Sequence, residues 1–214
     1  MRFMGLFNLR NLLLIALLIF GFQYYRSSKE IDVQSLSAPM DTKILTFGDS
    51  LTQGYGVAQS KSYPSQLSDL LHASVVNESI VGELSAQGRA RLPGVLERVK
   101  PDILVLCHGA NDILQHKDLF KTEENLDAMV KLAKDKGIFV ILIGVPTYDI
   151  LQYNVAEFYY NVARQNDVKL EDESLKSIMN DIALRSDAVH PNEKGYTLIA
   201  QKVAQIITDA YTSR

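Results

Sequence analysis

Lys43-Ile-Leu-Thr-Phe-Gly-Asp-Ser50-Leu51 is the stretch on which the fold turns. Ile44–Phe47 shows no regular apolar/polar alternation, as expected of a strand covered on both faces. It stops in a sharp polar turn that carries a serine, with a helix start directly after it. A strand that runs into a helix through such a turn is half of a βα unit.

The same alternation continues downstream. Leu67, Leu70 and Leu71 stand at helical spacing within Pro64–Leu71, and Val75-Val76 is a short strand that ends at Asn77. Leu92, Val95, Leu96 and Val99 form a helical stripe over Leu84–Val99, stopped by Pro101. Ile103–Cys107 is the next strand. A helix is expected from Thr122 to Gly137, a residue suited to its C-terminal cap. Ile138–Val145 is another all-apolar strand, stopped by Pro146. Helices are expected over Asn154–Val168 and Ser174–Ile182. Asn192 can cap a last helix with the stripe Tyr196, Ile199, Val203, Ile206 and Ala210. Strands alternating with helices imply an α/β sandwich with a parallel sheet. Ligands of such sheets bind beyond the carboxyl ends of the strands. Ser50, Gly82 and Asn111 each follow a strand, so the reading places them there.

Composition sets outer limits. A chain of 214 residues with 47% hydrophobic residues can bury a core in one domain. A formal net charge of -3 argues against nucleic acid as a partner. One cysteine, Cys107, excludes an internal disulfide and reads as a small buried residue within an apolar strand. His72, His108 and His116 form no metal-ligand spacing, so no metal is expected. Gly54-Tyr55-Gly56 lacks the third glycine of a dinucleotide fingerprint.

The first residues differ from the rest. Arg2 and Arg10 precede the apolar run Leu12–Phe22, a positive region followed by one of signal-sequence length. No pair of small residues suited to cleavage follows closely; Ser35-Leu-Ser37 lies well downstream. As a helix the run covers only about 16 Å of a hydrocarbon core of roughly 30 Å. Residues 1–25 are therefore expected to be a signal anchor or a cleaved signal peptide, residues 26–41 a polar tether, and residues 42–214 the folded domain. The expected location is the periplasmic side of the inner membrane, as an anchored or a cleaved, soluble protein. Membrane contact is expected through the N-terminal segment, and the protein is expected to be a monomer.

Three groups carry the chemistry. A serine hydroxyl needs a base to take its proton, and Ser50 sits where strand turns to helix. Asp187 and His190 are three residues apart, just before Pro191, which keeps His190 out of a helix. In a tight turn Asp187 accepts from the imidazole and leaves the far ring nitrogen free as base. Alone, Asp49-Ser50 is also an ordinary helix cap, and Asp187 a capping carboxylate beside a surface histidine. Two further polar turns follow the second and third strands. Gly82 permits close backbone approach, and its N–H is a candidate donor. Asn111 offers a side-chain amide suited to an oxyanion. Asp112 reads as structural and His108 as a strand-end residue.

Gly48-Asp49-Ser50-Leu51, Asn77-x-Ser79-x-x-Gly82, Gly109-Ala110-Asn111-Asp112 and Asp187-x-x-His190-Pro191 together resemble the four sequence blocks of the SGNH, or GDSL, hydrolases. Ser85-Ala-Gln-Gly-Arg-Ala-Arg-Leu-Pro93 is similar to the bacterial periplasmic thioesterase/lysophospholipase/arylesterase branch. The resemblance implies a flavodoxin-like three-layer α/β/α sandwich with a central parallel sheet of about five strands, and no cofactor. It implies Ser50 as nucleophile, His190 as base and Asp187 as its orienter. The Ser50 and Gly82 amides and the Asn111 side chain would form the oxyanion hole. It implies a serine hydrolase that cleaves small-molecule acyl esters or lipids through an acyl-enzyme. A carbohydrate O-acetylesterase of the same family and an inactive membrane-tethered binding domain remain as alternatives. Ala110 and Ile113 depart from that branch, where a second glycine and a small residue are frequent. The aromatic and aliphatic stretch Tyr148–Tyr160 suits either acyl chains or helix packing. Ile113, Tyr148 and Leu151 are the candidate substrate-binding residues.

Overall fold

The computed structural model describes residues 37–39 and 41–212. The chain runs β1 (Lys43–Gly48), α1 (Ser50–Gln53), α2 (Tyr63–Leu71), β2 (Ser74–Ser79), α3 (Ser85–Val99), β3 (Ile103–Cys107), α4 (Ala110–Leu114) and α5 (Leu119–Asp135). It continues with β4 (Phe139–Ile143), β5 (Pro146–Asp149), β6 (Gln152–Val155), α6 (Glu157–Asn166), β7 (Lys169–Glu171), α7 (Ser174–Asn180) and α8 (Glu193–Thr212). Five strands form a parallel sheet in the order β2-β1-β3-β4-β7, and β5 and β6 form a separate antiparallel hairpin.

Burial explains the order. In β1, β3 and β4 every residue after the first of each strand is buried, and all of β3 is. These strands are covered from both sides and take the centre. β2 and β7 are less buried and take the edges. On one face α2 packs against α8, which also contacts α7; on the other α3 packs against α5, and α5 against α6. This is the expected three-layer sandwich. The chain passes from β1 outward to β2 and returns past β1 to β3. The strand order therefore reverses between β1 and β3, where such sheets open a crevice.

Local chemistry fixes the helix ends. Ser62 caps α2 by accepting from Ser65 N–H, with Pro64 in the first turn. α5 starts on Asp118, which accepts from Phe120 N–H. It ends in a paired closure, with Gly137 N–H donating to Lys134 O and Ile138 N–H to Ala133 O. Gly137 holds φ 75°, the left-handed conformation that closure needs. Asn192 caps α8 by accepting from Lys194 and Gly195 N–H, as its sequence position suggests.

Several boundaries differ from the sequence reading. The segment read as helical from Asn154 opens with the last two residues of β6, the second strand of the β5–β6 hairpin, and helix starts only at Glu157. The hairpin escapes notice because its turn lacks Gly, Asn or Pro: Ile150, at φ 37°, stands where glycine is usual. β7 has three residues and too little pattern to read. α5 starts at Leu119, ahead of Thr122. On α8 the buried stripe runs through Tyr196, Ile199, Val203 and Ile207, while Ile206 and Ala210 are only half-buried. Residues 1–25 and most of the tether lie outside the described residues.

Leu104, fully buried on the central β3, gives a direct test of this core. Leu104→Ala should lower unfolding free energy by about 2–5 kcal/mol. Guanidinium denaturation should show this as a lower midpoint with an unchanged slope.

Candidate active site

The site begins at the end of β1. A Cβ on Gly48 would collide with the Cys107 carbonyl oxygen of β3 and the Thr52 hydroxyl, so only glycine fits. Asp49 follows as the cap of α1, accepting from Leu51 N–H at 3.0 Å. Ser50 is the first residue of α1, where backbone N–H groups have no intrahelical acceptor. Its side chain faces a cleft of about 640 Å³ that also borders Gly82, Asn111, Asp187 and His190.

Asp187 and His190 lie in the loop before α8. Asp187 Oδ1 accepts from Val189 N–H and His190 N–H, each at 2.8 Å, which folds the segment into a tight turn. Asp187 Oδ2 meets His190 Nδ1 at 2.8 Å, and His190 Nε2 meets Ser50 Oγ at 3.0 Å. A carboxylate, an imidazole and a hydroxyl thus form one chain. Partial burial pushes the Asp187 carboxyl up, but hydrogen bonds from Val189 N–H and from the His190 ring and N–H outweigh it. Its pKa ends below the usual carboxylate range, so Asp187 is ionised at neutral pH.

Gly82 holds φ 77°, and a Cβ there would meet nothing within 4 Å, so its backbone borders open cleft. Asn111 lies in the first turn of α4 and borders the same cleft. Its Nδ2 donates to Asp49 Oδ2 and to Glu83 O, both at 3.1 Å, which sets the plane of the amide. Two buried carboxylates stand behind it. Burial raises the Asp49 pKa to about 6, against smaller lowering by His108, the Leu51 N–H and His190. Glu83 takes the opposite course. Burial raises it, yet a two-pronged bond from Arg91 and a contact of 3.0 Å with His108 Nε2 bring it down to about 2. His108 is fully buried against Gly88 of α3, where a Cβ would strike its ring. Asp112 is structural, as expected: it accepts from Ser85 N–H and Oγ and from Thr122 Oγ1, and joins α3, α4 and α5.

The structure brings Ser50, Asp187, His190, Gly82 and Asn111 to one cleft. Of the candidate substrate-binding residues, Ile113 and Tyr148 line it. Leu151 does not; it sits at the hairpin tip, 87% exposed. The sequence reading passed over Tyr55, whose ring lies 4.6 Å from that of His190. The flanking glycines were the signal: Gly54 and Gly56 both hold φ 87°, and the turn they make carries Tyr55 onto the imidazole. It also missed the partnership of Glu83, Arg91 and His108, which spans three separate segments. Among the described residues no group of His, Cys, Asp or Glu is arranged to hold a metal ion.

The GDSL-like lipase/acylhydrolase family model matches residues 46–198. An arylesterase of Vibrio mimicus is 30% identical over 181 residues, 80% of this chain and 90% of its own. The thioesterase 1/protease 1/lysophospholipase L1 of Escherichia coli (strain K12) is 33% identical over 180 residues, 79% of this chain and 84% of its own. Among solved structures, the psychrotrophic esterase EstA from Pseudoalteromonas sp. superposes with a TM-score of 0.70 over 80% of this chain and 100% of that one. At 24% identity this match supports the fold.

The Asp49 pKa sets a pH dependence. Its folded value of about 6 lies above the ordinary aspartate value of 3.8. The folded protein therefore holds this proton more tightly than the unfolded chain does. The stability it contributes is full below the unfolded pKa and is lost as pH rises through 6, by roughly 3 kcal/mol. A carbon-13 titration of the aspartate carboxyls should show one resonance with a midpoint near 6 that is missing from Asp49→Asn.

Proposed function

The chain belongs to the GDSL-like lipase/acylhydrolase family, and from that membership we propose how its site works. The protein is a carboxylic ester hydrolase. In our reading His190 Nε2 takes the Ser50 proton as Oγ attacks an acyl carbonyl. Asp187 holds the imidazole in the tautomer that leaves Nε2 free and stabilises the imidazolium that forms. The tetrahedral oxyanion is met by the Ser50 and Gly82 N–H groups and by Asn111. Both Nδ2 hydrogens of Asn111 have acceptors already, so the oxyanion shares one of them in a three-centre bond. His190 then protonates the leaving group. The acyl-enzyme is hydrolysed by water that the same imidazole activates. This chemistry calls for no cofactor.

The observation that carries the reading is the unbroken chain Asp187 Oδ2–His190 Nδ1 at 2.8 Å and His190 Nε2–Ser50 Oγ at 3.0 Å. It favours an active enzyme over an inactive binding domain. Val81, Ile113, Leu114, Val145, Leu175 and Met179 line the cleft. An apolar wall of this kind favours a hydrocarbon acyl group over an acetylated sugar. We therefore place the activity among arylesterase, thioesterase and lysophospholipase reactions.

We further propose that residues 1–25 act as a signal anchor or signal peptide, that residues 26–41 tether, and that residues 42–214 form the hydrolase domain. This would put a monomeric enzyme on the periplasmic side of the inner membrane. Among the described residues no helix is long and apolar enough to cross a membrane. N-terminal sequencing of the mature protein tests the arrangement: a start near Ala38 ends the anchor reading.

Two substitutions test the mechanism. Ser50→Ala should lower turnover of p-nitrophenyl esters by about 10³-fold or more while leaving the thermal transition in place. Asn111→Ala should lower kcat by roughly 10²–10³-fold with KM little changed, because its amide serves charge that develops only in the transition state. Wild-type turnover in Ser50→Ala would overturn the nucleophile assignment. A pure KM effect in Asn111→Ala would make that residue a substrate contact instead.

A further inference from the structure

The exposed large apolar side chains among the described residues are not scattered. Each lies in a segment that leaves the carboxyl end of a strand of the parallel sheet. Tyr55 follows β1, Ile80 follows β2 and Phe120 follows β3. Ile150 follows β4 on the β5–β6 hairpin, and Ile182 follows β7 by way of α7. The remaining ones belong to these same segments. Phe120 is 63% exposed, Ile182 79% and Ile150 85%. By contrast, Glu97, Lys100, Asp102 and Lys136 stand exposed where chain enters β3 and β4, at the amino end. Single exposed apolar residues need no explanation, but a one-sided set around a cleft mouth does.

The rim continues into the site. Tyr55, Val81, Leu114 and Tyr148 are well exposed and also line the cleft. Asn180, at the end of α7, clasps Tyr153 of the hairpin by two bonds of 2.9 Å, which brings Ile182 beside the hairpin. At the hairpin tip an aliphatic, β-branched residue occupies a left-handed position, where a turn facing water uses Gly, Asn or Asp.

We propose that this rim inserts into the surface of a zwitterionic lipid bilayer, and that the cleft takes its acyl ester directly from the lipid phase. The inference rests on the ester-hydrolase reading and names where the substrate is met. Three observations choose a bilayer as the occupant. The cleft wall is apolar and continuous with the rim. The charges near the rim are of both signs, with Lys117 beside Asp118, Lys121 paired with Glu124, and Asp149 on the hairpin. Among the described residues these rim charges alternate in sign and do not gather into the cationic patch that anionic lipid would call for. Finally, the chain outside the described residues carries the apolar run Leu12–Phe22. The described part resumes at Ser37, fastened to Thr208 of α8 by bonds of 3.0 Å at its N–H and its carbonyl. Residues 23–36 between them span up to about 50 Å when extended. The strands are only about 20 Å long. With the anchor retained, a linker of that reach leaves the rim free to meet the bilayer that would hold the apolar run.

The chain has no tryptophan, so a single introduced indole reports its own surroundings. The full chain is compared as Phe120→Trp, Ile150→Trp and Glu97→Trp, with phosphatidylcholine vesicles. The first two should shift their emission to the blue and be quenched by brominated acyl chains; the third should stay as in water. Rim reporters that do not respond, or three reporters that respond alike, overturn the proposal. So does a blue shift without lipid that accompanies a dimer in sedimentation, since a second copy then covers the rim. Fluorescence does not depend on turnover, so loss of docking and failure of the hydrolase reading are separable. A Phe120→Asp/Ile150→Asp double variant completes the test. It should turn over a vesicle-borne long-chain ester roughly 10-fold more slowly and a dissolved short-chain ester at the wild-type rate. Equal loss on both substrates overturns the proposal.

Discussion

The close contact between β1 and β3 at Gly48 is the constraint from which the site follows. With no side chain at that position, the end of β1 lies against the Cys107 carbonyl, and the chain can turn at once into α1. Asp49 is thereby driven into the interior and Ser50 to the cleft floor. The strand order reverses at this same pair, so loops from β1, β2 and β3 converge over it. Ser50, Gly82, Asn111 and the Asp187/His190 pair come from four separate segments and meet at the gap the sheet leaves at its carboxyl end.

Behind the cleft lies a layer of buried ionisable groups, which is costly unless its members satisfy one another. Asp49 is held by Leu51 N–H and Asn111, Glu83 by Arg91 and His108, and Asp112 by Ser85 and Thr122. Arg91 also lies over the Phe47 ring, 4.1 Å from its centroid, and so joins this polar layer to the core of β1. The layer gives Asn111 one orientation. A donor fixed before charge develops costs no reorganisation when it does.

The opposite wall of the cleft is apolar. Its apolar lining runs outward into exposed aromatic and aliphatic side chains. One end of the molecule thus joins a polar cleft floor to an apolar entrance. The hairpin contributes most to that contrast. Its cross-strand pair Tyr148–Tyr153 packs edge to face at 5.1 Å, and it holds Ile150 and Leu151 out in solvent.

Much of this was legible in the chain itself. Buried central strands need uninterrupted apolar runs, so Ile103–Cys107 and the core of Ile138–Val145 were readable, and with them the α/β class. The Asp49-Ser50 turn and the Asp187/His190 turn were readable because each is local: the cap of α1 and the turn at 187–190 are set by residues within a few positions. The hairpin and β7 were not, because the hairpin's turn lacks Gly, Asn or Pro and neither has a run long enough to show a period. Nor were the stacking of Tyr55 on His190, the bonding of Glu83 by Arg91 and His108, or the exclusion of Leu151 from the cleft. Each depends on segments far apart in sequence that only packing brings together. Sequence determined the local conformations and the chemical groups on offer. Tertiary structure decided which groups meet, which carboxylates are buried, and which apolar side chains face outward.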